Sequence, residues 1–270
     1  TRQVRYTGAM ALADFNIEGR QAVVIGAGRG IGRGIALAFA EAGAEVAVVA
    51  LTKRRIDEVA KRAEGFGKRA AGFSADATDA AAMDALATKV LAAFPNLSIV
   101  VNSGGDSIRK QIADVPGEPG TGMTSEEWRG IIDLNVTSVF EGCRVFGPHL
   151  RQRGAGSVIN VSGVRGMRAS KNMAAYAAGK AGIARLTEAA ALEWGPDVRV
   201  NAISPGLFPD PEQEAPAKLA AYADSVRHRI PLERVGGVRE VGLMAVFLAS
   251  DAAAYVTGQT FVIDGGSSLL

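Results

Sequence analysis

Cysteines and long apolar runs are both scarce in this chain of 270 residues. The single cysteine, Cys143, cannot form a disulfide within the chain, and no basic segment followed by an apolar run opens the sequence as a secretory signal would. We therefore expect a reducing, cytoplasmic setting. The apolar runs AVVIGAG and SIVVNSGG are far shorter than the ~20 residues that a membrane helix needs, so we predict no membrane span.

A strong charge of either sign is also missing, since 30 basic and 28 acidic side chains leave a formal net charge of +2. No dense Lys/Arg block appears apart from Lys53-Arg54-Arg55, so we predict no nucleic-acid partner. His149 and His228 lie far apart in the sequence, and we predict no metal site.

Aromatic residues are few, at 6%, whereas 48% of the chain is hydrophobic and 33 residues are glycine. Short β-rich apolar runs alternate with longer Ala-rich segments, in the rhythm of βαβ units. The predicted strands are 21–25, 45–50, 69–74, 97–102, 156–161, 198–203 and 260–263, and the predicted helices are 31–43, 53–66, 79–94, 124–150, 173–194 and 239–249. The predicted fold class is α/β: a Rossmann-type, doubly wound, seven-stranded parallel sheet flanked by helices.

We interpret residues 12–270 as a single domain that follows an N-terminal tail, residues 1–11. Two long irregular stretches, 103–123 and 204–230, each follow a predicted strand. Ligands of open parallel sheets bind outside the carboxyl ends of the strands, so we interpret both stretches as substrate loops. Their basic side chains include Arg109, Lys110, Arg227 and Arg229. These side chains either recognise an acidic substrate or are solvated loop charges.

Glycines cluster between the first strand and the first helix, at Gly26, Gly30 and Gly32. Glycine at these points permits a tight turn and a close backbone approach, and the helix N-terminus offers free N–H groups to a diphosphate. The strand before the cluster and the helix after it supply the context that such a pattern needs. We predict that a dinucleotide binds here.

The end of the second strand indicates which dinucleotide binds. An acidic residue there would hold a ribose 2′-hydroxyl, but the chain has Ala50 and Leu51. Thr52 and the basic pair Lys53 and Arg54 follow at once, and Arg29 lies within the glycine cluster. Cationic and hydroxyl groups favour a 2′-phosphate, so we predict NADP(H) over NAD(H). The alternative for Lys53 and Arg54 is solvated charge at a helix start.

Tyr176 and Lys180 lie four positions apart on a predicted helix and therefore on one face of it. A tyrosine with a pKa near ~10 is a poor acid-base catalyst at neutral pH unless its phenolate is stabilised. A lysine one turn away supplies a positive charge for that purpose. The pair is a candidate acid-base dyad.

Together these motifs resemble the short-chain dehydrogenase/reductases over residues 12–267. The matching elements are GAGRGIG at 26–32, Asp76, Asn102, Asn135, YAAGK at 176–180, NAISPG at 201–206 and the ending YVTGQTFVIDGG. The resemblance implies an oxidoreductase that transfers hydride between a nicotinamide and a carbonyl or secondary alcohol, with Tyr176 as acid-base. It also implies a homo-oligomer, a tetramer or a dimer.

The resemblance assigns roles residue by residue. Tyr176, Lys180, Asn135 and Ser162 are the predicted catalytic residues, and Asn135 is expected to interrupt a helix and hold a proton-relay water. The predicted cofactor-binding residues are Gly26, Arg29, Gly30, Ile31, Gly32, Thr52, Lys53, Asp76, Ala77, Asn102, Gly104, Tyr176, Lys180, Pro205 and Gly206. In one departure from the family pattern, Asp210 stands where a threonine commonly reaches the cofactor carboxamide, which predicts an acid near that end of the site.

A second departure concerns the hydroxyl that should polarise the substrate carbonyl. The family places a serine thirteen residues before the tyrosine, but Gly163 stands there and Ser162 is adjacent. Three explanations are open. A bulged strand end turns Ser162 into the site, another donor (Ser170, Asn172, Arg165 or a water) replaces it, or carbonyl reduction is weak or lost. Two alternative functions follow: reduction of a C=C bond in an enoyl- or dienoyl-thioester, and a dinucleotide-binding sensor or scaffold with little turnover.

Overall fold

Seven parallel strands form one sheet in the computed structural model, which describes residues 13–226 and 228–270. The predicted tail, 1–11, and Arg227 lie outside the described residues. The strands are β1 Gln21–Ile25, β2 Glu45–Ala50, β3 Ala70–Ser74, β4 Leu97–Asn102, β5 Gly156–Val161, β6 Val198–Pro205 and β7 Thr260–Ile263. Their order is β3-β2-β1-β4-β5-β6-β7, and every neighbouring pair is parallel. The predicted fold class is confirmed.

Helices cover both faces of the sheet because alternate residues of each central strand point to opposite sides. Val24 of β1 packs in one core cluster with Ile35 and Leu248, while Val23 packs in the other with Phe146. The helices are α1 Gly30–Glu41, α2 Lys53–Glu64, α3 Ala80–Ala93, α4 Ser125–Ile132, α5 Ser138–Arg153, α6 Ala174–Trp194, α7 Pro216–Val226 and α8 Val238–Ala249. No helix among residues 13–226 and 228–270 is both long and apolar enough to span a membrane.

The helix predicted at 124–150 is instead two α-helices, α4 and α5, joined by a π-helical turn, Asp133–Thr137. The Asn135 side chain donates from Nδ2 to the carbonyl oxygen of Ile131, at 2.8 Å. That carbonyl is the regular α-helical acceptor for the backbone N–H of residue 135, so the side chain competes with the helix ladder here.

Helix α7 lies inside the 204–230 stretch, where no helix was predicted. The prolines around it favour a loop reading, yet Pro216 occupies the first helical position, where its missing N–H costs nothing. The 103–123 stretch contains no helix or strand, as predicted.

The sheet order reverses direction between β1 and β4, since chain crossovers run toward β3 on one side and toward β7 on the other. The carboxyl ends of strands at such a switch point diverge and leave a cleft. The candidate site lies in this cleft.

Candidate active site

A cavity of about 470 Å³ opens at the carboxyl ends of β1, β2 and β4. Twelve of the predicted site residues line it, namely Gly26, Arg29, Gly30, Ile31, Gly32, Thr52, Asp76, Ala77, Gly104, Ser162, Tyr176 and Lys180. The cavity therefore brings the predicted dinucleotide end and the predicted catalytic pair into one continuous site.

The glycine cluster forms the floor of the cavity in a conformation that needs glycine. Gly26 has a φ of +84°, and a Cβ there would lie 2.7 Å from the carbonyl carbon of Ser103. A Cβ on Gly32 would overlap the carbonyl oxygen of Gly26. Side chains at either point would separate β1 from its neighbours, so the cradle that a diphosphate requires is built into the backbone.

We call the end of the cavity beyond β2 the adenosine end, because the sequence predicts the adenosine ribose of the dinucleotide there. Leu51, Thr52 and Arg55 line it. Lys53 is not among the lining residues; its ammonium group bonds Asp57 at 2.8 Å, and its side chain is 80% exposed. The structure therefore does not bring the Lys53 side chain together with the other predicted cofactor-binding residues. Position 53 begins α2 and points to solvent, whereas position 55 faces the glycine turn, with Arg55 Cβ at 3.5 Å from a Cβ built on Gly28.

Asp76 and Ala77 line the same end of the cavity, beyond β3. The Asp76 carboxylate accepts hydrogen bonds from Thr78, from the backbone N–H at 2.9 Å and from the hydroxyl at 2.7 Å. These bonds fix the turn after β3.

Helix α6 presents Tyr176 and Lys180 at the other end of the cavity. The Lys180 Nζ atom lies 5.7 Å from the centre of the Tyr176 ring and donates to the carbonyl oxygen of Val161 at 3.1 Å. Lys180 is buried, with 4% exposure, and burial lowers its pKa to about 8. Burial raises the pKa of Tyr176; Arg165 lowers it and Asp106 raises it. The protein alone therefore keeps the phenol protonated at neutral pH.

Asn135 faces this pair from the π-helical turn. Its Nδ2 also donates to the carbonyl oxygen of Asp106 at 2.8 Å, whereas its fully buried Oδ1 has no hydrogen-bond donor among the residues that the structure describes. A Cβ on Gly105 would lie 2.7 Å from that Oδ1 and 2.8 Å from Lys180 Nζ. Asn135 Oδ1 and Lys180 Nζ therefore both lie against Gly105, with no hydrogen bond between them.

Known proteins match this chain over nearly its whole length. A family model described as enoyl-(acyl carrier protein) reductase matches residues 26–268. The 3-oxoacyl-(acyl-carrier-protein) reductase of Thermotoga maritima is 34% identical over 252 residues, which cover 93% of this chain and 98% of that protein. The chain belongs to the short-chain dehydrogenase/reductase family. The predicted family is thereby confirmed, and so is the coarser prediction of an NAD(P)-dependent oxidoreductase.

Other family members agree in sequence and in fold. The D-threitol dehydrogenase of Mycolicibacterium smegmatis is 34% identical over 257 residues, with 95% of each chain covered. A gluconate 5-dehydrogenase of Burkholderia cenocepacia, solved in complex with NADP and tartrate, superposes with a TM-score of 0.87 at 30% identity, covering 97% of this chain and all of that one.

In this short-chain dehydrogenase/reductase, glycine stands at residue 163, where the family places its catalytic serine, as the sequence indicates. Ser162 is buried, and its hydroxyl donates to the carbonyl oxygen of Lys180 at 2.7 Å, which anchors β5 to α6. The neighbouring Gly163 faces the phenol, because a Cβ there would lie 3.2 Å from Tyr176 Oη. Its φ of 174° is ordinary extended backbone, so the chain stays extended beyond the end of β5 and forms no bulge that would turn Ser162 toward the phenol.

Three predicted cofactor residues lie beside the cavity rather than on its wall. Asn102 is 1% exposed and donates to Asn160 Oδ1 at 2.8 Å, so its amide joins β4 to β5 beneath the site. Pro205 and Gly206 end β6 behind Gly163, and the Pro205 carbonyl oxygen lies 3.9 Å from a Cβ built on that glycine.

Several lining residues were not predicted. Arg55 lies one residue beyond the basic pair that we considered, and Gly105 and Asp106 follow Gly104 directly. Two signals point to them: helical spacing from Thr52 places Arg55 on the inner face of α2, and the SGGD sequence leads straight out of β4. Ser138 also lines the cavity, but its position depends on the π-helical turn, for which the sequence carries no clear signal.

Proposed function

We propose that the protein is an NADP(H)-preferring oxidoreductase that interconverts a carbonyl and a secondary alcohol, with Tyr176 as the acid-base group. The observation that carries this proposal is the convergence of Tyr176, Lys180 and Asn135 at one end of the glycine-floored cavity. The names of the relatives agree, since an oxoacyl reductase, a polyol dehydrogenase and a gluconate 5-dehydrogenase are all among them.

The residues present fit a nicotinamide dinucleotide. The backbone cradle at Gly26 and Gly32 excludes side chains, and the cavity runs from Arg55 to Tyr176 without a break in its lining. When bound, the dinucleotide supplies or accepts the hydride. Gly26, Gly30 and Ile31 would hold its diphosphate, and Asp76 and Ala77 its adenine.

Preference for NADP(H) follows from the charge at the adenosine end. No acidic side chain follows β2 to repel a 2′-phosphate, and Arg55 lines that end together with Thr52. A guanidinium group binds phosphate through paired hydrogen bonds. We assign the recognition of the 2′-phosphate to Arg55, with Arg29 as a second cation that lines the cavity.

Proton transfer at the substrate oxygen falls to Tyr176, whose hydroxyl faces the open position of Gly163. Lys180, with a pKa of about 8, is mainly charged at neutral pH and stabilises the phenolate when the proton leaves. The unpaired Asn135 Oδ1 suits a water between itself and Lys180, which would return protons to the pair.

Because residue 163 is glycine, another group must polarise the substrate carbonyl. Ser162 can polarise the substrate only if its hydroxyl breaks its hydrogen bond to the carbonyl oxygen of Lys180. Arg165 follows one turn later and already influences Tyr176 electrostatically, although its guanidinium bonds the Ser170 hydroxyl. We favour Arg165 or a water in the space beside Gly163.

Gly163 supports a second candidate function, reduction of a C=C bond in an enoyl- or dienoyl-thioester. The matched family model carries an enoyl reductase description, which supports this candidate. A dinucleotide-binding sensor with little turnover is the third candidate.

We also propose a cytoplasmic homo-oligomer, a tetramer or a dimer, acting on a small molecule without a nucleic-acid or membrane partner. Large apolar side chains are exposed on α5 and α6, where Phe140 is 47% and Leu192 is 87% exposed. Their burial between copies of the chain would account for this exposure.

A panel assay separates the three functions. Oxidation of NADPH, followed by its absorbance, is measured with ketones and with enoyl-thioesters, and reduction of NADP+ is measured with each alcohol product in the reverse direction. Turnover of ketones and secondary alcohols supports the leading proposal, and turnover of enoyl-thioesters alone supports the second. Tight dinucleotide binding without turnover of any substrate supports a sensor.

A further inference from the structure

Helix α1 begins at the cavity without a cap from its own sequence. Arg29, at the N-cap position, makes no side-chain hydrogen bond to the helix, and the first turn contains no acidic residue. A helix N-terminus carries free N–H groups and partial positive charge. One of those N–H groups, that of Gly30, donates to Asp210 Oδ2 at 2.7 Å. Asp210 lies 180 positions later in the chain.

The Asp210 carboxylate is held there by a second buried charge. Arg33 Nη2 donates to Asp210 Oδ1 at 2.6 Å, and the two side chains are only 6% and 10% exposed. The backbone N–H of Glu212 donates to the same oxygen at 3.1 Å. Arg33 also pairs with Glu212, which accepts a hydrogen bond from Arg62 of α2 at 3.0 Å. Asp210 is therefore a fixed anion and not a freely rotating surface carboxylate.

The Asp210 carboxylate lies where the proposed function places a second anion, the diphosphate of the cofactor. Gly30 lines the dinucleotide cavity and also a second cavity of about 290 Å³, which Asp210 and Tyr222 help to enclose. Three residues after Asp210, Gln213 accepts a hydrogen bond from Arg55 at 3.2 Å. The short segment 210–213 therefore contacts both groups to which we assign cofactor phosphates, the α1 N-terminus and Arg55.

We propose that Asp210 sets the affinity of the dinucleotide site by holding a permanent negative charge at the N-terminus of α1, where the diphosphate must share or displace it. This inference rests on the proposed function. The charge opposes the diphosphate, which NAD(H) and NADP(H) have in common, so it weakens both by the same factor. It does not act on the 2′-phosphate end, which depends on Arg55. A site of this kind exchanges its cofactor readily.

Asp210→Asn tests the proposal because the amide oxygen still accepts the Gly30 N–H while the charge is lost. We expect the Kd of NADPH and that of NADH each to fall about tenfold in a calorimetric titration, whereas the Kd of 2′-AMP, which lacks a diphosphate, stays unchanged. Glu212→Gln is the matched control. It removes a carboxylate from the same Arg33 but one that is 41% exposed and makes no contact with Gly30, so both dinucleotide affinities should stay within about twofold.

Asp210→Thr, which supplies a hydroxyl acceptor without charge, is a second test with the same expected direction, and circular dichroism confirms that each variant is folded. Unchanged or weaker dinucleotide binding by both folded Asp210 variants would overturn the inference, and so would an equal gain for 2′-AMP. If the unsubstituted protein binds neither NADPH nor NADH, the proposed function itself fails and this inference with it.

Discussion

Two neighbouring residues, Ser162 and Gly163, decide what stands beside the phenol of Tyr176. The serine hydroxyl is committed to the Lys180 carbonyl, while the glycine faces Tyr176 Oη across a Cβ-sized gap. The side chain that would polarise a carbonyl is therefore missing at the one position with the right direction.

Gly163→Ser should raise kcat with ketone substrates by about tenfold or more, because a hydroxyl donor at this point stabilises the oxyanion that develops during reduction. The extended backbone at residue 163 accepts a side chain, and the contact of 3.2 Å with Tyr176 Oη needs only a small adjustment. The measurement is NADPH oxidation with a simple ketone. Gly163→Ala adds the Cβ without the hydroxyl and serves as control. Equal rates for the two variants would show that a hydroxyl at residue 163 contributes nothing.

Lys180 predicts a pH dependence of stability. Burial lowers its pKa from 10.5 to about 8, so between pH 8 and 10.5 the unfolded chain holds a proton that the folded chain has released. Stability must rise with pH wherever the unfolded state binds more protons. From pH 7 to 9.5 we expect the unfolding free energy to increase by about 2 kcal/mol relative to Lys180→Met, measured by urea unfolding. A difference that does not change with pH would contradict a lowered pKa for this residue.

At the scale of elements, two helix beginnings shape the site. Helix α1 starts on the glycine floor and takes its cap from Asp210, whereas α2 starts with Lys53 turned to solvent and Arg55 turned inward. The two basic residues differ by two positions, which on a helix corresponds to nearly opposite faces. Function at the adenosine end should therefore depend on one and not on the other.

Arg55→Ala should raise the Kd of NADPH by about tenfold or more and leave the Kd of NADH nearly unchanged, because only NADPH carries the phosphate that the guanidinium would bind. Fluorescence titration with both dinucleotides measures this. Lys53→Ala removes an equal charge from the outer face of the same turn and should leave both values within about twofold. A similar loss for both variants would indicate general attraction between charges instead of a contact by Arg55.

On the scale of the whole molecule, the strands of the sheet were predictable because local patterns mark each of them. All seven strands were located within two residues, since buried parallel strands are continuous apolar runs such as AVVI and SIVV. The glycine cluster and the Tyr176–Lys180 spacing placed both ends of the cavity for the same reason. Each is a short pattern whose chemistry does not depend on distant residues.

What could not be predicted depends on contacts between distant segments. The direction of Arg55 is set by packing, and the bond from Gly30 to Asp210 joins residues 180 positions apart. The inward turn of Asn102 toward Asn160 is of the same kind. The interruption of the helix at Asn135 was expected from the family resemblance, whereas its π-helical form was not. Composition and periodicity report the local part of the free energy, whereas these features arise from the tertiary part.

In the proposed function, Tyr176 transfers the proton in a dinucleotide-dependent reduction. The most direct test is steady-state turnover of Tyr176→Phe with NADPH and the best ketone substrate, together with the Kd of NADPH for the same variant. We predict that kcat falls at least about 100-fold while the Kd stays within about threefold, because the variant loses only the hydroxyl that carries the proton. Unchanged turnover in a variant that binds NADPH normally would contradict proton transfer by Tyr176.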